Sequence, residues 1–332
     1  MQSDVVVSPA QTNNRNYYFD LLKYLLFICV VLIHNPLPDC LFGGVWSAIS
    51  RSAVPVYLAI SGYFNKSMGA KHLDRGRHFL YLYFLFNLIW FAIFTLFSKG
   101  SYPEMAMWAK LDISFKTVFN CIVFGSAFGS EYLWYLHAIG MVYLAGYLIN
   151  KLNLNKLAIQ IVPILLTLYW IMSEGLMIVV GSGVQAYFYR NWLIEGLGFF
   201  YLGKYLSSNK PKFQKSFYYY LLGIGCLITV LEFYCFGRYE FYFGNFFLVY
   251  GLLSLGKYVK VEDNYFSKMG RYHSQYLYLY SPFIAFLVTF VQLVLFHSVD
   301  QQTVTTVLVI VITTITVSQN WFNSIIKAFR IA

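Results

Sequence analysis

Lys23 and His34 stand eleven residues apart in "FDLLKYLLFICVVLIH", residues 19–34, and Asp20 precedes the lysine by three. On a helix, eleven residues rise about 16.5 Å and leave a net rotation of only about 20°. Ammonium and imidazole therefore share a face, and Asp20 joins that stripe with Phe27 and Val31. An imidazole is the usual general base near neutral pH. The plainer reading makes Asp20 and Lys23 a pair at a membrane surface with a snorkelling lysine, and has His34 simply end the helix.

A second stretch, "RSAVPVYLAISGYF" (51–64), puts Arg51 near the depth of His34. A guanidinium keeps its proton and needs an anionic or carbonyl partner, either a structural ion pair or a substrate or transition-state contact. Pro55 and the Ser61/Gly62 pair make the segment bendable and allow close backbone approach. In "KHLDRGRHF", Arg75 and Arg77 fall on the side that Lys23 faces. Guanidinium groups beside a lysine suit phosphates, while basic loops also orient any polytopic chain. "EYLWYLHAIG" offers Glu131, Trp134 and His137, and "YRNWLIEGLGFF" offers Arg190, Asn191 and Glu195. An aromatic ring beside carboxylate and amide groups is what a sugar-binding cleft uses; Glu131 and Arg190 serve equally as interface residues. Glu174 and Glu232, isolated acids near segment ends, read as interfacial.

Membrane helices are expected to hold these groups in place. The chain has 332 residues, 59% hydrophobic and 11% charged, against about 25% charged in an ordinary soluble domain. Charges at bilayer depth cost a few kcal/mol each and are functional candidates by default. Aromatic residues reach 21%, more than two interfacial belts need, so rings must line internal surfaces or a cavity. The net charge of +10 lies between apolar runs rather than in one patch, which speaks for topology and against nucleic acid. Five cysteines without a CxxC pair indicate neither a disulfide framework nor a metal site.

About 20 apolar residues make a span. Ten stretches qualify: 17–36, 45–65, 78–98, 132–150, 157–179, 187–206, 216–236, 241–259, 275–297 and 303–323. An eleventh apolar run, 117–129, is short and contains glycine. With a cytoplasmic N-terminus, ten spans leave only Lys99, Lys110, Lys116 and Arg238 in outer loops, as the positive-inside rule requires. Counting 117–129 as a crossing would move every later basic loop outside, so it is expected as a re-entrant or interfacial outer helix. The expected fold is thus all-α and polytopic: a polar cytoplasmic tail (1–16), one transmembrane domain (17–323) and a short cytoplasmic tail (324–332). The first apolar run lacks a cleavage site and reads as a retained span.

These motifs resemble the acyltransferase family 3 membrane proteins, which include bacterial O-acetyltransferases of surface polysaccharides. A basic residue, ten residues and a histidine in the first span are met by Lys23 and His34, with Asp20 before the lysine. "RSAVPVYLAISGYF" is similar to the family's second-span pattern, Arg75 and Arg77 to its basic loop, and "LWYLHAIGMVYL" and "NWLIEGLGFFYLGKYL" to later spans. The likeness covers roughly residues 15 to 290. Where family members often carry a histidine after "YLx", this chain has Ser281 in "YLYLYSPF", and the esterase-like domain fused to some members is not expected.

The resemblance implies transfer of an acyl group, usually acetyl from cytoplasmic acetyl-coenzyme A, to a hydroxyl of a surface polysaccharide or lipid-linked sugar. His34 would be the general base, or itself accept the acyl group. Arg51 would stabilise the oxyanion, and Lys23, Arg75 and Arg77 would hold the coenzyme's phosphates. Asp20 would steady Lys23, and Glu131, Trp134, His137, Arg190 and Glu195 would line the acceptor site with it. No permanently bound cofactor or metal is expected; the partners are acyl-coenzyme A, the glycan acceptor and membrane lipids of a bacterial cytoplasmic membrane, with both termini inside. A transporter or flippase for a lipid-linked sugar is the rival class, its charges marking gates. A glycan polymerase would need a larger outer loop than 99–131.

Overall fold

The computed structural model describes residues 16–38, 41–65, 69–98, 115–125, 131–296 and 302–319. Residues 1–15 of the expected N-terminal tail, the expected C-terminal tail, Lys66, Lys99, Lys110, residues 126–130 and the Glu131 side chain lie outside the described residues. Among the described residues there is no strand. The helices are α1 (Tyr18–His34), α2 (Leu41–Ser50), α3 (Ala53–Phe64), α4 (Ala70–Ser98), α5 (Phe115–Phe124), α6 (Trp134–Lys151) and α7 (Asn155–Val180). They continue with α8 (Leu197–Ser208), α9 (Lys215–Phe236), α10 (Phe243–Leu255), α11 (Tyr265–Tyr272), α12 (Ser274–Phe296) and α13 (Gln302–Ser318).

Among the described residues, four helices are long and apolar enough to cross a membrane: Ala70–Ile93 in α4, all of α7 and α9, and Ser274–Leu295 in α12. Other expected spans hold shorter helices. The stretch 45–65 is two helices with a break at Arg51–Ser52. Pro55 is the cause: it lacks the N–H that would close onto the Arg51 carbonyl, and its ring crowds that carbonyl. Ser52 marks the break by turning its hydroxyl back to the Ile49 carbonyl at 2.9 Å. Irregular backbone at membrane depth is tolerated where it is buried in protein or lines a cavity, and this one lines a cavity.

α1 lies at the centre, touching α2, α3, α11, α12 and α13. Its Leu22, Leu26 and Val30 pack with Val56, Ile60 and Phe200 in one core. Phe27 and Val31 turn the other way, into a second core with Met269, Leu277 and Ile284. The expected stripe therefore needs correcting: at 3.6 residues per turn Val30 stays within about 20° of Lys23, whereas Val31 lies about 80° round.

With lipid as apolar as leucine, close packing rather than a hydrophobic drive holds such helices together, and small residues permit it. α3 and α8 meet through Gly62 and Gly203. A Cβ at Gly62 would stand 1.8 Å from the Phe200 carbonyl oxygen, and one at Gly203 would stand 1.9 Å from that of Ala59. Neither position admits a side chain, so α3 is fixed against α8 along the length that lines the site.

The expected outer helix at 117–129 is α5, ten residues or about 15 Å long. The last carbonyls of a helix lack intrahelical partners, and here side chains supply them. The Tyr83 hydroxyl donates to Cys121 O at 3.1 Å, His137 Nε2 to Ile122 O at 2.9 Å and Trp192 Nε1 to Val123 O at 3.2 Å.

Candidate active site

His34 is the last residue of α1 because Pro36 follows: the residue before a proline is driven out of the helical region. Its ring lies against Tyr132, centroids 3.9 Å apart. The break between α2 and α3 delivers Arg51 to the same place. A third arm is the π-helical turn Trp192–Gly196, a feature frequent at functional sites. Asn191 caps it, accepting from the Leu193 and Ile194 amides at 2.9 and 3.0 Å while its own amide holds the Tyr187 and Phe188 carbonyls. That cap fixes Arg190 on one side and the buried Glu195 on the other.

These arms enclose a cavity of about 170 Å³ lined by His34, Arg51, Trp134, Arg190 and Glu195, which came from distant parts of the sequence. Tyr169 and Glu240 complete its polar wall, and Ile33, Val54 and Pro55 its apolar one. Glu240 Oε2 stands 2.8 Å from Arg51 Nη1 and 3.7 Å from Arg190 Nη1. Arg190 also lies over the Trp134 ring, 5.0 Å from its centroid, a cation–π contact. One carboxylate and one indole thus hold two guanidinium groups on one cavity. A guanidinium carries five N–H donors, so Arg51 can bind Glu240 and still face a second acceptor. Glu195 is buried with Oε2 unpartnered among the described residues.

A second cavity, about 200 Å³, lies at the Lys23 end. Lys23 lines it, 3.6 Å from the buried Asp20 carboxylate, and the Lys23 carbonyl accepts from the Tyr57 hydroxyl. Gly270 of α11 comes so close to Asp20 that a Cβ there would stand 1.8 Å from the Asp20 carbonyl oxygen. Tyr57, Tyr135 and Tyr278 give the cavity ring walls, and Ser61, Ser274 and Gln275 give polar ones. The amide nitrogen of Gln275 is buried without a partner among the described residues. Val54 lines both cavities. Down α1 the order is His34, Val30, Lys23, and from the break at Arg51 down α3 it is Val54, Tyr57, Ser61, so the two cavities follow one groove between the helices.

Not every expected residue reaches the groove. Arg75 Nη1 donates to Asn65 Oδ1 at 3.2 Å, and Asn65 donates to the carbonyl of Ser61 at 2.6 Å, which ties Arg75 to the rim of the second cavity. Arg77 is 70% exposed and paired with Asp74 at 3.9 Å, pointing elsewhere on the same helix. His137, expected among the substrate contacts, is buried and lines neither cavity. Its Nε2 must carry the proton, because its partner is the Ile122 carbonyl, so it serves as a cap for α5. Glu131 opens the short turn Glu131–Leu133 that leads into Trp134.

Comparison with known protein families matches residues 16–319, nearly the whole chain, to the family described as an acyltransferase domain. The chain belongs to acyltransferase family 3. It is a multi-pass membrane acyltransferase, as the apolar helices and the family together require. No curated protein and no solved structure matches it. In this acyltransferase Ser281, at the family's frequent histidine position, donates to the Tyr278 carbonyl of its own helix at 3.2 Å and is buried.

Sequence reasoning missed Glu240, Tyr169 and Gln275. Glu240 sits in an ordinary polar turn, "GRYEFYF", and its role depends on a partner 189 residues away. Gln275 had a visible signal: it opens the apolar α12 with a polar amide, one residue after Ser274.

Proposed function

We propose that this acyltransferase moves an acetyl or other short acyl group from cytoplasmic acyl-coenzyme A to a hydroxyl of a surface polysaccharide or lipid-linked sugar. The observation that carries the reading is the pair of cavities along one groove, with a lysine–aspartate pair in one and an imidazole between two arginines in the other. The cationic Lys23 end, with Arg75 at its rim, suits the phosphates of the coenzyme. The run from Lys23 to His34, about 16.5 Å of helix, is comparable to the reach of a pantetheine arm.

In this scheme His34 takes the proton of the acceptor hydroxyl, and the oxygen attacks the thioester carbonyl. Proton removal by a placed imidazole is worth about 10²- to 10⁴-fold. The carbonyl oxygen becomes an oxyanion beside Arg51, a contact worth about 3 kcal/mol when such a donor is removed. The carbon–sulfur bond then breaks, and the imidazolium returns its proton to the leaving thiolate. Arg190, Trp134 and Glu195 form the wall against which the acceptor sugar lies, and Asp20 orients Lys23.

The test uses purified protein in lipid with coenzyme A carrying a labelled acetyl group, together with mass spectrometry of surface glycans made with and without the protein. Label appearing on the glycan, or in water by slow thioester hydrolysis, supports the scheme. Movement of a lipid-linked sugar across the bilayer with no chemical change would replace it with the transporter reading.

A further inference from the structure

Glu240 holds Arg51 and Arg190 at the His34 cavity, yet it stands in the turn 237–242 between α9 and α10, with no helix of its own to fix it. Its neighbours keep that turn in place. The Tyr242 hydroxyl donates to the Gly237 carbonyl and accepts from the Tyr239 amide, both at 3.0 Å, which closes the turn on itself. Phe241 is fully buried, and its ring meets that of Tyr169 in α7 with centroids 4.9 Å apart.

The far end of the turn is tied to α7 by Glu174. The first amides of a helix have no intrahelical acceptor, and Tyr242, at the cap position of α10, gives them no side-chain cap. Glutamates from two neighbouring helices stand in: Glu174 Oε2 accepts from the Phe243 amide and Glu232 Oε2 from the Gly244 amide, each at 3.1 Å. The same Glu174 oxygen accepts from Trp170 Nε1 at 2.6 Å, so the carboxylate is aimed before it meets α10. Glu174 is fully buried, which corrects the interfacial reading. It sits in the π-helical turn Ile171–Gly175, the same kind of turn that carries Glu195 to the cavity, and one frequent at functional sites.

We propose that Glu174 is a positioning residue for the transfer reaction: through the Phe243 amide it sets the turn that carries Glu240, and through Glu240 the directions of Arg51 and Arg190. This rests on the acyl-transfer reading above and adds to it a residue that lines neither cavity. Glu240 lies only three residues before Phe243, too few to absorb a shift at the anchor. A misplacement of about 1 Å made far from the chemistry can cost about 10²-fold in rate.

The experiment measures transfer of labelled acetyl from acetyl-coenzyme A to surface glycan from cells lacking the protein, by the full-length enzyme in lipid, with donor concentration varied and folded protein quantified. Glu174→Ala is expected to lower kcat by about 10²-fold per folded molecule, with the donor KM nearly unchanged. Glu174→Gln, whose side-chain carbonyl still accepts from the Phe243 amide, is expected to keep most of the wild-type kcat. Residues that act as a unit are non-additive, so Glu174→Ala added to Glu240→Ala is expected to cost little more than Glu240→Ala alone. Where Glu174→Ala does not fold, Glu174→Asp, which draws the carboxylate back by one methylene, takes its place, with a loss in kcat again expected. Wild-type kcat in the shortened Glu174 variant or in Glu240→Ala, no rescue in Glu174→Gln, or losses that multiply in the double variant overturn the proposal and leave the acyltransferase reading standing. No transfer by the wild type overturns that reading and the proposal with it.

Discussion

Replacing Arg51 by lysine separates charge from geometry at the cavity that His34 lines. Arg51 Nη1 stands 2.8 Å from Glu240, and Arg190 stands 3.7 Å from the same oxygen. A lysine keeps the positive charge, so most of the attraction to Glu240 survives and the fold should lose no more than about 1 kcal/mol, the scale of a partly exposed pair. A single ammonium, however, cannot present two separated donors in a fixed plane as a guanidinium does. If it stays with Glu240, the oxyanion loses its contact. Removal of one such contact costs about 2.7–4 kcal/mol, which is 10²- to 10³-fold in kcat. The assay is steady-state transfer of labelled acetyl in lipid with the donor concentration varied, with thermal unfolding measured alongside. Loss in kcat with a nearly unchanged donor KM and melting temperature is the expected result. Arg51→Lys with wild-type kcat would refute the oxyanion assignment and return Arg51 to a purely structural pair with Glu240.

Other positions discriminate further. Gln275→Ala removes a buried amide nitrogen that has no partner among the described residues and lines the Lys23 cavity; donor KM should rise several-fold, on the order of one hydrogen bond of about 1 kcal/mol, with kcat kept, as steady-state kinetics with varied acetyl-coenzyme A will show. His137→Ala leaves the Ile122 carbonyl of α5 uncapped, so the protein should lose about 1–3 kcal/mol of stability while the enzyme that remains folded keeps its kcat, a separation read by unfolding in detergent beside activity per folded molecule.

Five residues that line the His34 cavity were legible from residue type and position: His34, Arg51, Trp134, Arg190 and Glu195. The reason is physical: in an apolar chain each ionisable or amphipathic side chain at depth needs a partner or a cavity, and their number is small enough for them to find the same one. His137 shows the limit of that logic. A buried histidine satisfies the same expectation by capping α5, and nothing in "WYLHAIG" distinguishes a cap from a contact with substrate. Arg75 and Arg77 sit two apart on a helix and so point about 200° apart, which explains why only Arg75 reaches the cavity rim. The break at Arg51–Ser52 was foreshadowed by Pro55, but a count of apolar residues runs straight through it, and so the hydropathy of 45–65 described one span where the chain forms two helices. Glu240 was invisible because its partners are remote in sequence.

His34 is proposed to carry out proton transfer at the meeting of donor and acceptor. The most direct measurement is transfer of a labelled acetyl group to the native glycan by His34→Ala and by His34→Gln, at equal amounts of folded protein in lipid, with binding of coenzyme A measured in parallel. A fall of about 10²-fold or more in transfer is expected for both variants, with coenzyme binding retained because Lys23 lies at the other end of the groove. Transfer at the wild-type rate by either variant would contradict it.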